Sequence, residues 1–153
     1  MNEAEKLEEW FGDDRAALGL IELIFEASQI ADDFVDGDKP QNKNSEMCRL
    51  LHICLVDIPA NQAFQQVGAW LWPLLSSSII QWGASNVNAT HENEDVRRFS
   101  WAMRDITEQI ISQLILVRRG YFHAAAVAPE IARYFRMNED GETFEEWQGS
   151  INK

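Results

Sequence analysis

The sequence predicts an all-α protein, a single-domain bundle of about five helices with a central uncharged helix. Three observations support this fold class. Apolar residues recur at helical spacing, and strands with period-two alternation joined by hairpin turns are absent. Capping residues and glycines bracket several of the apolar segments. The 153 residues are 46% hydrophobic and 25% charged, which is typical of a globular domain.

The first helix is predicted from about Asp13 to Asp36. Asp13 can cap it, Asp14 favours the positive end of its dipole, and Gly37 suits the residue that ends it. Its apolar side chains have the spacing of one buried helix face. They are Leu20, Leu23, Ile24, Ala27, Ile30, Ala31 and Phe34.

A second helix is predicted from about Ser45 to Asp57, because a proline follows two residues later. The segment that follows, 58–91, contains no Asp, Glu, Lys or Arg. Its core, 67–84, looks superficially like a membrane helix. Pro73, three consecutive serines and the lack of flanking basic residues argue against a span. We therefore expect a central helix that is buried on most sides, with an oligomer interface as the alternative.

A fourth helix has the best-marked ends and is predicted from Asn93 to Gly120. Asn93 can cap it, acidic residues occupy its first turn, and two arginines occupy its last turn. A fifth helical segment covers Tyr121 to Met137, and Pro129 is expected to restart it.

Two regions follow from these elements. Residues 1–137 are predicted to form the helical domain, and residues 138–153 an acidic, loose C-terminal tail. Phe144 and Trp147 are the side chains of this tail that we expect to dock back onto the helices.

Charge is concentrated at the N-terminus. The net charge is −12, and 12 of the 25 acidic residues lie within the first 38 positions. This balance argues against direct binding of nucleic acid or an anionic membrane, since both need concentrated Lys and Arg. The first six residues lack the pattern of a secretory signal, so we expect none. Cys48 and Cys54 would lie about 120° apart on a helix, which is poor geometry for a disulfide. We expect a cytoplasmic protein with reduced cysteines.

An acidic stripe lies opposite the apolar face of the first helix, with no basic residue to interrupt it. A helical wheel places Glu22, Glu26, Gln29, Asp33 and Asp36 in this stripe. A solvated face without a function is one interpretation. The functional interpretation starts from carboxylates three or four residues apart, which share one helix face and can converge on a hard cation such as Mg²⁺.

The leading functional hypothesis is Mg²⁺-dependent phosphate or diphosphate chemistry. Arginines are concentrated between 97 and 136, and their forked guanidinium groups suit phosphate oxygens. Asp105 and Glu108 form a second acidic pair that can complete a metal site. The alternative is that this pair only forms local salt bridges with neighbouring arginines. The predicted metal ligands are Asp32, Asp33, Asp36, Asp105 and Glu108. The predicted phosphate-binding residues are Arg97, Arg98, Arg118 and Arg119.

The run Asp32-Asp33-Phe34-Val35-Asp36 resembles the DDxxD motif of class I isoprenoid-diphosphate synthases. These all-α enzymes hold a substrate diphosphate through Mg²⁺, so the resemblance implies a metal site on the three aspartates. In size the chain is more similar to the small all-α nucleoside-triphosphate pyrophosphatases, which pair acidic residues on two helices around Mg²⁺ and work as dimers or higher oligomers. Segment 32–40 and the helical layout also look similar to small uncharacterised helical proteins of tailed phages, which implies no established activity.

The rival hypothesis is an acidic interaction protein, such as an inhibitor or immunity-type partner of a basic protein. A helix face of one charge sign steers a cationic partner and speeds encounter. A structural helical subunit is the third possibility. In each case we expect a homodimer that buries part of the uncharged middle of the chain.

Overall fold

The computed structural model describes residues 3–36, 42–104, 107–136 and 143–151. Within these residues the regular structure is helical and no strand occurs, so the all-α prediction is confirmed. The described segments form more helices than the five predicted. They are α1 (Glu3–Phe11), α2 (Arg15–Asp36), α3 (Lys43–His52), a π-helical turn (Ile53–Asp57), α4 (Ile58–Ala60), α5 (Gln62–Asn88), α6 (Glu94–Arg104), α7 (Thr107–Arg119), α8 (Tyr121–Arg136) and α9 (Phe144–Ile151).

The chain divides into two compact units, Met1–Gly68 and Ala69–Lys153. In the first unit the acidic N-terminus forms helix α1, which the sequence patterns did not reveal. Leu7, Trp10 and Phe11 are spaced three and four positions apart, so one side of this short helix buries three large side chains. Burial of this face, rather than intrinsic propensity, stabilises so short a helix.

Helix α2 follows the prediction closely. Its cap is Asp14 rather than Asp13, because the Asp14 carboxylate accepts a hydrogen bond from the backbone N–H of Ala17 at 3.1 Å. Its N-terminal half is the most buried part and contributes Ala17, Leu18, Leu20, Ile21 and Ile24 to the core. The predicted apolar stripe is thus confirmed at Leu20 and Ile24, whereas Phe34 is half-buried.

The predicted second helix does not stop before Pro59. It begins at Lys43, with the Asn42 side chain accepting from the Ser45 N–H at 3.2 Å, and continues through the π-helical turn into α4. Pro59 lies in the first turn of α4, directly after the π-helical turn. The helix ends at Asn61, whose backbone is extended. Its side-chain oxygen accepts hydrogen bonds from the backbone N–H groups of Ala63 and Phe64 in the next helix.

Helix α5 is the predicted uncharged helix, and it is longer than expected. It spans Gln62–Asn88 with Pro73 inside it. The prediction that it is buried on most sides is wrong, because Trp70, Trp72, Ile79 and Val87 are each at least 65% exposed. Among the described residues, no helix has the length and apolarity needed to cross a membrane.

In the second unit the predicted fourth helix is described as α6 and α7, with residues 105–106 outside the described part. Asn93 caps α6 as expected, accepting from the Asp95 N–H at 2.8 Å. Gly120 ends α7 with a φ of 86°, the left-handed conformation of a helix C-cap. Helices α7 and α8 pack against each other, and their buried side chains are Ile110, Ile111, Leu114, Ile115, Ala124 and Ile131.

Within the C-terminal segment, Phe144–Ile151 forms helix α9. Phe144 is buried beside Ala89, and its ring meets the Trp101 ring edge-on at 6.0 Å, so the predicted docking of Phe144 is confirmed. The side chain of Trp147 lies outside the described residues. The predicted boundary at 137/138 does so too and stays a prediction. Pro129 lies inside α8 and does not restart it.

Candidate functional site

The acidic face of α2 meets α3 in an open cleft of about 440 Å³ within the first unit. Helix α2 presents acidic residues there because its opposite face is committed to the core. Helix α3 exposes most of its surface and has no fully buried side chain, so its polar residues face the cleft and the solvent. The lining residues are Glu26, Gln29, Ile30, Asp33, Ser45, Glu46 and Arg49.

Arg49 joins α3 to α2 at one end of this cleft. Its Nε and Nη2 donate to the two carboxylate oxygens of Glu26 at 2.7 and 2.6 Å, which is the bidentate fork geometry. Its Nη1 donates to Asp57 Oδ2 at 2.6 Å. One guanidinium therefore neutralises part of the acidic stripe, which in sequence contained no base.

The π-helical turn brings Asp57 to Arg49. The widened turn begins at the buried Ile53 and ends at Asp57, whose other carboxylate oxygen lies 3.1 Å from His52 Nδ1. Such turns are often found at functional sites. Hydrogen bonding to His52, followed by that to Arg49, lowers the pKa of Asp57, and the Arg49 hydrogen bonds lower the pKa of Glu26. Both carboxylates are therefore stabilised in the ionised form.

The cleft contains more carboxylates than cations. Asp33 accepts a hydrogen bond from Gln29 Nε2 at 2.8 Å, which fixes its orientation. Glu46 also lines the cleft, and its buried Oε2 atom has no hydrogen-bond partner among the described residues. With Glu26, Asp33 and Glu46 beside one Arg49, the lining has a formal charge of −2. A buried carboxylate oxygen without a donor is costly, so this geometry favours a ligand that supplies an N–H group or positive charge.

The predicted metal ligands that the structure describes do not all lie at the cleft. Asp33 lines the cleft, whereas Asp32 is half-buried and lies outside the cleft lining. The side chain of Asp36 and the whole of Asp105 fall outside the described residues. Glu108 lies in the first turn of α7, in the second unit. The convergence of these carboxylates on one ion therefore stays a prediction.

Magnesium requires oxygen ligands in near-octahedral arrangement, with water supplying several of them. Within 3–36, 42–104, 107–136 and 143–151, no group of three or more His, Cys, Asp or Glu side chains is placed to hold a metal ion. The Asp33 carboxylate is also engaged by Gln29. The described residues thus do not form a ready-made metal cage.

The predicted phosphate-binding arginines lie in the second unit, where Arg97 and Arg98 make structural contacts within and around α6. Arg97 donates to the backbone carbonyls of His91 and Glu92, which ties the loop before α6 to the helix. Arg98 donates to Glu94 at 2.8 Å and lies 4.3 Å above the Phe144 ring centroid. Arg118 and Arg119 occupy the last turn of α7, where positive charge interacts favourably with the helix dipole. A role for the four in phosphate binding stays a prediction.

Sequence patterns did not reveal the residues that shape this cleft on the α3 side. Arg49 and Glu26 are 23 positions apart, so no helical spacing links them. Arg49 and Asp57 are 8 apart, which is not a spacing that places them on neighbouring turns. Glu46 lies in the first turn of the predicted helix, where an acid is unremarkable because it interacts favourably with the helix dipole. The one available signal was that Arg49 is the sole base between 44 and 96.

Comparisons with protein-family models, curated proteins and solved structures found no match to the chain. The resemblances to diphosphate enzymes and to phage proteins accordingly stay predictions.

Proposed function

We propose that this chain is an acidic interaction protein whose α2–α3 cleft receives a basic side chain of a partner protein. One observation carries the proposal. The cleft is lined by three carboxylates and one guanidinium, and a buried oxygen of Glu46 has no donor among the described residues. An inserted Arg or Lys would supply that donor and offset the excess negative charge.

The surroundings of the cleft support the same class of function. The first unit carries 14 acidic and 5 basic residues, so its field attracts a cationic partner over a distance of roughly 10 Å at 0.1 M salt. Glu22 on α2 is exposed and adds to this field without lining the cleft. In this proposal Glu22 contributes to long-range attraction, whereas the residues that line the cleft bind the partner's side chain.

The experiment titrates a short arginine-rich peptide into the protein by calorimetry. Glu46→Gln removes one charge inside the cleft, and Glu22→Gln removes one charge from the same unit outside it. If the cleft is the site, Glu46→Gln weakens binding about tenfold, the loss of one charge-assisted contact, whereas Glu22→Gln changes it by about twofold or less. Equal losses for the two variants would show diffuse attraction and overturn the proposal.

We retain Mg²⁺-dependent phosphate or diphosphate chemistry as a second candidate, because Asp33 lies in a cleft with two other carboxylates. Mg²⁺ often binds through one or two carboxylates and keeps several waters, so the site need not be a complete protein cage. Calorimetric titration with Mg²⁺ and Mn²⁺ tests it on the wild type, Asp33→Asn and Asp36→Asn. Heat of binding in the wild type that both variants lose supports the candidate; no binding to the wild type removes it.

We also propose that the chain forms a homodimer and that it resides in the cytoplasm. The homodimer is supported by α5, which leaves large apolar side chains exposed along an uncharged helix. Sedimentation of the purified chain measures its oligomeric state directly.

A further inference from the structure

A continuous stripe on α5 is exposed although it is apolar. Trp72 is 66% exposed, Ile79 69%, Ile80 67% and Val87 78%. At about 100° per residue these four positions fall within roughly a 100° sector of the helix, and Ser76 and Gly83 lie between them in the same sector. We name these six residues the α5 stripe: Trp72, Ser76, Ile79, Ile80, Gly83 and Val87.

The buried side of α5 faces a different direction. Leu71 is fully buried and Ser85 is 2% exposed, and both lie roughly 130° or more from the centre of the stripe. One face of this helix is therefore already buried within the folded chain. A helix that is apolar on both faces but buried on one needs a second apolar surface to cover the other.

The spacing within the stripe is symmetric. Reading outward from the point between Ile79 and Ile80, large residues stand at the centre, small ones at 76 and 83, and large ones at 72 and 87. When two identical helices pack antiparallel across a two-fold axis at that point, 72 faces 87, 76 faces 83 and 79 faces 80. Isologous contacts require such self-complementarity, whereas a contact with an unrelated partner does not.

From this geometry we infer that two copies of the chain pair through the α5 stripe, antiparallel, with the two-fold axis between Ile79 and Ile80. This deepens the homodimer proposed above and is independent of the acidic cleft. The pairing sets the bulky Trp72 against the smaller Val87 and lets backbones approach where Ser76 meets Gly83. A Cβ built on Gly83 meets nothing within 4 Å, so this position offers room for a partner. A parallel pairing would instead place Trp72 on Trp72.

The charge distribution makes this segment the place where a second copy meets no opposing charge. The protomer has a net charge of −12, so two copies repel each other over most of their surface. Residues 58–91 carry no Asp, Glu, Lys or Arg, and the stripe lies within them. A heterologous partner would gain no charge complementarity there. The stripe is about 22 Å long, which places the contact at the small end of specific interfaces.

The first test is sedimentation equilibrium of matched tryptophan variants. Trp70 and Trp72 are 65% and 66% exposed, but Trp70 lies roughly 130° from the centre of the stripe. Trp72→Lys is expected to raise the dimer dissociation constant at least about tenfold, whereas Trp70→Lys leaves it within about twofold. Far-ultraviolet circular dichroism confirms that both variants stay helical. A monomeric wild type would overturn the dimer itself.

The second test is disulfide trapping, which distinguishes antiparallel from parallel pairing of the two α5 helices. Cys48 and Cys54 are exposed, so both are first replaced by Ser. Ser76→Cys and Gly83→Cys are then oxidised separately and as a mixture. Antiparallel pairing predicts a covalent dimer in the mixture and little in either variant alone, because like positions lie about 10 Å apart along the helix axis.

The outcomes are distinguishable. Efficient cross-linking of each variant with itself would show parallel pairing and overturn the two-fold inferred here. A dimer by sedimentation that gives no cross-link in the mixture would place the interface elsewhere and would leave only the general homodimer.

Discussion

Arg49 is the residue at which the charges of α2, α3 and the π-helical turn meet. Its fork binds Glu26 on one side and Asp57 on the other. Arg15 offers a matched contrast, because it pairs with the single carboxylate of Glu8 and is 76% exposed. Replacing either arginine by Gln changes the net charge by the same amount, so any difference between the variants reports the local contacts.

We predict that Arg49→Gln lowers the free energy of unfolding at pH 7 more than Arg15→Gln does. The pKa values of Glu26 and Asp57 are lowered in the folded protein. The stability that they contribute is therefore present above their ordinary pKa values and is lost as the pH falls through the lowered ones. Urea unfolding from pH 7 to pH 3 should show the gap between the wild type and Arg49→Gln closing below about pH 4. A gap that stays constant over this range would contradict the role of the two carboxylates.

At the scale of the element, the junction between α7 and α8 depends on one backbone conformation. Gly120 has a φ of 86°, and the next helix starts at the following residue. Gly19 lies inside α2, where a Cβ would meet the Asn61 side chain at 3.9 Å, an ordinary contact. The two glycines thus differ in backbone conformation rather than in available space, since a Cβ on Gly120 meets nothing within 4 Å.

We predict that Gly120→Ala destabilises the protein by about 1 kcal/mol, because an L-residue in the left-handed region is strained. Gly19→Ala should stabilise it by roughly 0.5–1 kcal/mol, because alanine loses less chain entropy in a helix. Thermal melts of both variants against the wild type measure the two shifts. If both substitutions shift the melting temperature in the same direction, backbone conformation is not the deciding factor at Gly120.

Several elements were predictable because their signals are local. Asn93 and Gly120 mark helix ends by side-chain capping and backbone conformation, and both were recognised in the sequence. The exposure of α5 was not predictable, since an apolar segment looks the same in sequence whether a core or a partner covers it. The cleft was missed for a related reason: Arg49 meets Glu26 through tertiary packing of α2 and α3, which no periodicity encodes.

At the scale of the molecule, the two proposed surfaces respond to salt in opposite directions. Binding of a cationic peptide at the cleft rests on Coulomb attraction, which added salt screens. Dimerisation through the α5 stripe brings together two chains of charge −12 over an uncharged contact, so screening reduces their repulsion. Salt therefore weakens peptide binding and strengthens dimerisation, in both cases by screening the charge of the acidic residues.

We predict that raising NaCl from about 50 to 500 mM, which shortens the Debye length from about 14 to 4 Å, weakens peptide binding and tightens the dimer. Calorimetry with the arginine-rich peptide and sedimentation of the free protein measure the two effects on one preparation. Ile79→Asp separates them, because it places a charge in the stripe and should abolish the dimer while leaving peptide binding at the cleft intact. A dimer that dissociates as salt rises would mean that ion pairs hold it, which an uncharged stripe cannot provide. Peptide binding that is lost in Ile79→Asp would mean that the cleft functions only within the dimer.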